Sequence, residues 1–480
     1  MAEIVAESLK EHRSGKLRFN ASKKTPTSGK DTERSLSALV IVLFAALVVL
    51  TLIGIGTRMY ISLIGIAICI ACLFRKEVRI DWWIFLPLVA YVGMNMVSSY
   101  VAYGSILFGY GTLHLVFITL YAASCCLRIG EANLLRLLAV LWAALAAAIG
   151  IVAFVVLAFM TSPTRLDFVI GSPNSLGIFL VLSWFALQSC RMAKMDSRLF
   201  RFVERLEPVI LLALGVTLSM GSIAALLIGL VVLGFSYGRS EHSAKEGALY
   251  VAKLLPKMLL SVAMGVLMYM AAERAEAPIL CTVILVYLVV MVLLWKRFTA
   301  FLANNTKMAI ALSVVALLCI PLFIFMRPSA LATFGERLAM MQNGISYLLV
   351  DPIVGLGPMQ WRGYNLIDSD MYFNTNHIHN AYIHVGVEFG LIAMIALIVI
   401  TVRVFIKRYK QAQHGEDAAM LAHMLTDTGF FYVGVVGTFI LTAGGSESPA
   451  KALSKIATKV LFAALAILHF VILWMYLALF

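Results

Sequence analysis

The stretch Leu134–Met160, LLRLLAVLWAALAAAIGIVAFVVLAFM, carries one charge, Arg136, in 27 residues. A helix of about 20 apolar residues crosses the hydrocarbon core of a bilayer, so this run reads as a membrane span. Similar runs flank it on both sides. Across 480 residues, 62% are hydrophobic, 13% are charged, and the mean hydropathy is +0.94. Soluble domains are about 45–50% apolar and about 25% charged, and a soluble enzyme is therefore excluded. The expected fold is an all-α polytopic membrane bundle of about 14 transmembrane helices filling residues 36–480, after a polar, basic, disordered tail at 1–35.

The net charge of +13 does not by itself indicate nucleic acid, because membrane proteins concentrate Lys and Arg on their cytoplasmic side. The segment 207–238 decides the sorting. A break at Ser219-Met-Gly-Ser222 makes it a returning hairpin and keeps the cations at 239–257 with the others. On that reading 29 of the 38 Lys and Arg lie inside, and the chain is a multi-pass inner-membrane protein with both termini cytoplasmic. Lys451, Lys455 and Lys459 are the exceptions, because 421–443 and 453–479 are both read as full spans. All seven cysteines fall within apolar runs, which argues for packing over disulfide, metal or redox chemistry.

One long segment, 327–378, gathers polar and charged residues outside the lipid. Phe334, Tyr347, Trp361, Tyr364, Tyr372 and Phe373 mark it as an ordered cap. Just after it, Asn374-Thr-Asn-His-Ile-His-Asn-Ala-Tyr-Ile-His384 places His377, His379 and His384 at a helix start, where the dipole keeps His379 neutral and able to accept a proton. Two other readings stay open, a metal pair and interfacial histidines bonded to the cap. His377 and His379 are two positions apart, which does not suit helical ligation of one ion. Arg337, Arg362 and Arg165 offer planar forks for phosphate oxygens, or for lipid headgroups. Asp351-Pro-Ile-Val-Gly-Leu-Gly-Pro358 reads as a turn, and Asn174 stands at the start of a helix beginning at 172.

Four elements together resemble the O-antigen ligase and polymerase superfamily of bacterial envelope glycan transferases. They are Pro173-Asn174, the Leu218–Ser222 break, the cap from Glu336-Arg337 to Pro358, and the His379-Asn380-Ala-Tyr382 helix running on to Gly390-Leu-Ile. The resemblance implies a glycosyltransferase that moves a polyprenyl-diphosphate-linked glycan to an acceptor hydroxyl at the outer face of the cytoplasmic membrane. It implies inversion at the anomeric carbon and no metal or other cofactor. The implied partners are the lipid-linked donor, a glycan or lipid-linked acceptor, the bilayer and other polysaccharide assembly proteins, without nucleic acid. His379 takes the place of the family's helix-start base and Arg337 that of its cap cation, with Arg165, Arg362, Asn174, Asn380 and Tyr382 as substrate-binding candidates. The family's hairpin arginine falls where this sequence has Met220. That absence favours a polymerase over a ligase, with Arg165 or Arg362 as a substitute cation. The rival class is a transporter or flippase for a lipid-linked glycan. The spans are nearly free of acids until Glu388 and Asp427, which supplies a proton relay poorly.

Overall fold

The computed structural model describes residues 37–53, 58–75, 78–161, 165–273, 277–325, 329–367, 373, 375–409, 415–443 and 452–479. The tail at 1–35, together with Arg327, Tyr372, Asn374 and Lys451, lies outside the described residues. Those described are helical, with no strand. In chain order α1 is Ala38–Ile53, α2 Arg58–Leu73, α3 Trp82–Tyr103, α4 Gly111–Ser124, α5 Ile129–Met160 and α6 Pro173–Met192. The short α7, Arg198–Arg205, precedes α8 Glu207–Val216, α9 Met220–Ser240, α10 Ala244–Glu273, α11 Pro278–Asn304 and α12 Thr306–Phe325. The segment expected as the cap holds α13 Ser329–Leu348 and α14 Gln360–Ile367, followed by α15 Ala381–Tyr409, α16 Glu416–Thr426, α17 Val433–Ala443 and α18 Lys455–Leu477. By length and composition, eight described helices can cross a membrane, namely α3, α5, α6, α9, α10, α11, α15 and α18.

Local chemistry sets the helix starts. Asp81 caps α3 by accepting from Trp83 N (3.2 Å), and Ser172 and Ser219 cap α6 and α9. The expected break near 219 is present. Glu207 lies beside Lys257 and Gly215 packs on Gly265, so α8 runs parallel to α10; Gly234 meets Val251 and Gly238 meets Ser243, so α9 runs back.

Two helices depart from expectation. The run 379–402 is not one rod, because Gly390 (φ 84°, ψ 169°) reverses α15. The Tyr382 hydroxyl reaches Thr401 Oγ1 at 3.2 Å, whereas 19 residues of straight helix would separate them by about 28 Å. The arms 381–389 and 391–409 are therefore antiparallel. The turn Asp351–Pro358 clamps this reversal, with Leu356 N donating to Val387 O (2.8 Å) and Leu391 N to Pro352 O (2.8 Å). Gly355 (φ 78°) and Gly390 meet backbone to backbone, and a Cβ on Gly390 would overlap the Ile353 carbonyl oxygen.

The second departure is 421–443, expected as a span. Arg136 Nε donates to Thr442 O (2.7 Å) at the end of α17, and the same guanidinium lies within electrostatic reach of Glu416 and Asp417 at the start of α16. The segment 416–443 thus enters and leaves on one face, a re-entrant hairpin in place of one of the expected 14 spans. Its tip, 427–432, can be irregular because it is buried in protein. Leu453 N then donates to Val78 O (2.9 Å), and α18 ends where the Tyr476 hydroxyl meets Leu107 O (3.2 Å). Lys455 and Lys459 therefore join the face that carries Arg75, Arg128, Arg403 and Lys407, which we term the basic face. Ser37 is tied to Arg75 at that face (2.8 Å), so Ser37 and Tyr476 lie on opposite faces instead of the same one.

Candidate functional site

On the other face, which carries the cap, several helix ends stop short of the rim. Leu166 packs on Gly150, ten residues before α5 ends, and Gly215 packs on Gly265, eight residues before α10 ends. At 1.5 Å per residue the starts of α6 and α9 lie about 12–15 Å below those ends. The first arm of α15 starts at a similar depth, because it rises from Tyr382 beside Thr401 to the Gly390 turn. The tip of the re-entrant hairpin meets these starts from the basic face. The sequence reading put the candidate residues outside the lipid, but the structure places His379, Arg337, Arg165, Asn174 and Asn380 around these helix starts within the bundle, which we term the recess.

Asp427 stands at the centre, 1% exposed. Its Oδ2 accepts from Arg337 Nη2 (3.0 Å), its Oδ1 faces His379 Nδ1 at 3.3 Å, and Thr428 N closes the carboxylate at 2.8 Å. Arg337 descends from α13 and also donates Nη1 to Thr426 O (2.6 Å), which leaves its buried Nε without a partner among the described residues. Burial alone would raise the Asp427 carboxyl. The facing His379, with His423 and Arg337 nearby, instead holds it well below the usual carboxylate range. The spacing to His379 is loose, as catalytic contacts often are before substrate binds.

The three clustered histidines separate by environment. His377 is 8% exposed, and its Nε2 meets the Tyr110 hydroxyl (2.9 Å); burial, then His384 and His379, push its pKa well below the ordinary value, so it stays neutral. His384 is 0% exposed, takes the Ile378 N–H on Nδ1 (3.3 Å), and faces Glu388 with Nε2 (3.3 Å). Only His379, with 21% of its side chain exposed, can be reached by a substrate. An Asp427 carboxylate at Nδ1 favours the tautomer that carries its proton there, leaving the Nε2 lone pair free, the arrangement of an acid-oriented general base.

The other sequence candidates divide. Arg165 donates Nε to Thr217 O (2.7 Å) and Nη2 to Asn174 Oδ1 (2.7 Å), and Ser222 Oγ donates to Asn174 O (3.1 Å). These three tie the starts of α6 and α9 together. Gly221 joins them to the first cluster, since a Cβ there would lie 3.6 Å from Asp427 Oδ2 and 3.8 Å from Arg337 Nη1. Asn380 is a cap and a tether: its Oδ1 accepts from Tyr382 N (3.1 Å) and Ile383 N (3.0 Å), and its Nδ2 donates to Leu425 O (3.1 Å). Tyr382 points away to Thr401. Arg362 is exposed on α14 and, among the described residues, meets none of His379, Asp427 or Arg337. Among the described residues no three His, Cys, Asp or Glu side chains gather as a metal site.

Sequence reasoning found no acid well placed for His379, and missed Asp427, 48 positions away. The available signal was a lone acid deep in an apolar run, which in a membrane protein marks function by default. A family model described as O-antigen ligase matches residues 259–398, from α10 into the second arm of α15. The match includes Arg337, His379, Asn380 and Tyr382 but not Arg165, Asn174 or Asp427. It supports the O-antigen ligase superfamily and, with the spans, indicates a multi-pass membrane glycan transferase in general. No curated protein matches the chain.

Proposed function

We propose, for a chain whose residues 259–398 match the O-antigen ligase family, that the recess transfers a glycan from polyprenyl diphosphate to an acceptor hydroxyl at the outer face of the cytoplasmic membrane. One observation carries this reading: a single buried carboxylate holds both the exposed-edge imidazole of His379 and the guanidinium of Arg337. His379 Nε2 takes the proton of the acceptor hydroxyl as its oxygen attacks the anomeric carbon, and Asp427 stabilises the imidazolium that forms. The bond to the diphosphate breaks with its electron pair on the leaving oxygen. The Arg337 and Arg165 guanidinium groups and the amides at the starts of α6 and α9 stabilise that charge without a metal. One displacement inverts the anomeric centre.

Arg165, bound at the break that contains Met220, supplies the hairpin cation that the sequence lacks at that position. This removes the argument that favoured a polymerase, and leaves polymerase and ligase as variants of one mechanism. The positive-inside rule makes the basic face cytoplasmic and the capped recess external, with the Tyr476 end of α18 outside.

The test is reconstitution with a polyprenyl-diphosphate glycan and an acceptor, scoring product length and attachment. We expect loss of transfer in His379→Ala with folding retained and activity that survives chelation. Normal transfer by that variant overturns the base assignment, and restoration by one divalent ion overturns the metal-free step.

A further inference from the structure

A cavity distinct from the recess lies elsewhere in the bundle. A volume of about 1190 Å³ opens on the basic face and runs inward between α1, α3, α4, α15, α16 and α17. Pockets shaped for drug-sized solutes span about 300–1,000 Å³. Its walls are apolar, with Leu88, Phe117, Leu397 and Phe439 among them, and its inner end is closed by Met424 and Phe430 of the re-entrant hairpin. Its mouth is cationic, with Arg75, Arg79, Arg128, Lys407 and Arg408 lining it and no acidic side chain. Arg75 is paired with Glu131 (2.8 Å) and Arg408 with Glu416 (2.6 Å), whereas the guanidinium groups of exposed Arg79 and Arg128 form no ion pair among the described residues, Arg128 meeting Glu131 only through its backbone N–H (3.0 Å).

We propose that this cavity binds an anionic diacyl phospholipid drawn from the leaflet at the basic face, its acyl chains in the apolar shaft and its phosphate on Arg79 and Arg128. Charge and shape select that occupant together. An open apolar shaft in a bilayer fills with hydrocarbon, which alone is indifferent to headgroup, while two unpaired arginines at headgroup depth prefer a phosphate with net negative charge. The site needs no transferase activity to be detected, so its failure and the failure of the proposed function are separable.

The full chain, purified and delipidated in mild detergent, is titrated with phosphatidylglycerol or phosphatidylcholine and read by native mass spectrometry. We expect at least tenfold tighter retention of phosphatidylglycerol, and at least a tenfold loss of it in an Arg79→Glu, Arg128→Glu double variant. Leu397→Trp, which narrows the shaft without touching the mouth, weakens both lipids. Equal retention of the two lipids by the unaltered protein overturns the proposal, and needs no variant. So does a photoreactive acyl chain that labels only the outer bundle surface, or a cross-link that fills the shaft with residues 1–36 of the chain itself.

Discussion

Two buried carboxylates, Glu207 and Asp427, are both surrounded by cations, yet they use their partners differently, which on the proposed function gives them different ends. Glu207 accepts six hydrogen bonds, from Trp184, Gln188, Arg191 twice, Lys257 and Trp295, at 2.6 to 3.3 Å. Every lone-pair direction is filled by a fixed donor, and nothing is left to meet a ligand. Asp427 instead holds groups with spare valence, an imidazole with a free nitrogen and a guanidinium with an unpaired Nε. Burial and charge are common to both sites. Only unspent donor and acceptor capacity, facing a recess, distinguishes chemistry from scaffolding.

Substitutions at the two sites should dissociate activity from stability. His379→Ala lowers turnover by about 10²–10⁴-fold, the usual worth of a positioned general base, with a smaller fall in the thermal midpoint than Glu207→Gln gives, because Arg337 still pairs with Asp427. Asp427→Asn loses a comparable factor by releasing the tautomer. Glu207→Gln leaves Arg191 and Lys257 facing a neutral group and costs about 3–5 kcal/mol of stability, while turnover per folded molecule is retained. Single-turnover kinetics and melting in detergent measure both axes. A Glu207 variant that folds normally but transfers slowly ends the distinction.

Asp427 also gives a signed pH dependence. Its folded pKa is depressed, so its stabilising contribution is complete above the ordinary carboxylate range near pH ~4 and is lost as pH falls through the lower folded value. The melting difference between the wild type and Asp427→Asn is flat from pH 5 to 8 and closes below it. A difference that closes between pH 7 and 5 contradicts the assignment.

The same contrast explains what was readable from sequence. Membrane class, the break at 219 and the Asp351–Pro358 turn were legible, and His379 and Arg337 could be nominated together, because hydropathy, small-residue breaks and motif spacing are local. The hairpin at 416–443 was not, since two half-length apolar helices read in one dimension as one span. Lys455 and Lys459 on the wrong side were its trace. Asp427 was hidden by the same error, because an acid placed inside a span has no visible partner until the chain reverses. The reversal at Gly390 was hidden too. Glycine is common in membrane helices, and only the docking of Gly355 against it shows that φ of 84° is required.

Gly390 belongs to neither carboxylate site, and so it measures how far the recess depends on its frame. Gly390→Ala forces a side chain into a glycine-only region of backbone space, at about 1–3 kcal/mol, and also pushes on Ile353 O. The expected result is a lowered melting midpoint and a several-fold loss of turnover from displacement of His379, which begins the arm that Gly390 ends. Loss of stability with unaltered turnover would show that His379 is positioned by Asp427 and Asn380 alone.

Arg362 sets the lower bound. It was grouped with Arg337 and Arg165 by charge and by its place in the cap, but the structure leaves it exposed and apart from the Asp427 cluster. An exposed residue away from any cap, core or network shifts stability within about 0.5 kcal/mol. Arg362→Ala should therefore leave both kcat and the melting midpoint at wild-type values, while Arg165→Ala, which breaks the contacts to Thr217 and Asn174, lowers kcat. Measured side by side, the two substitutions remove the same charge from the same side of the membrane. If both reduce transfer equally, the recess attracts its substrate by overall positive potential, and the unspent valence around Asp427 is not what selects the site.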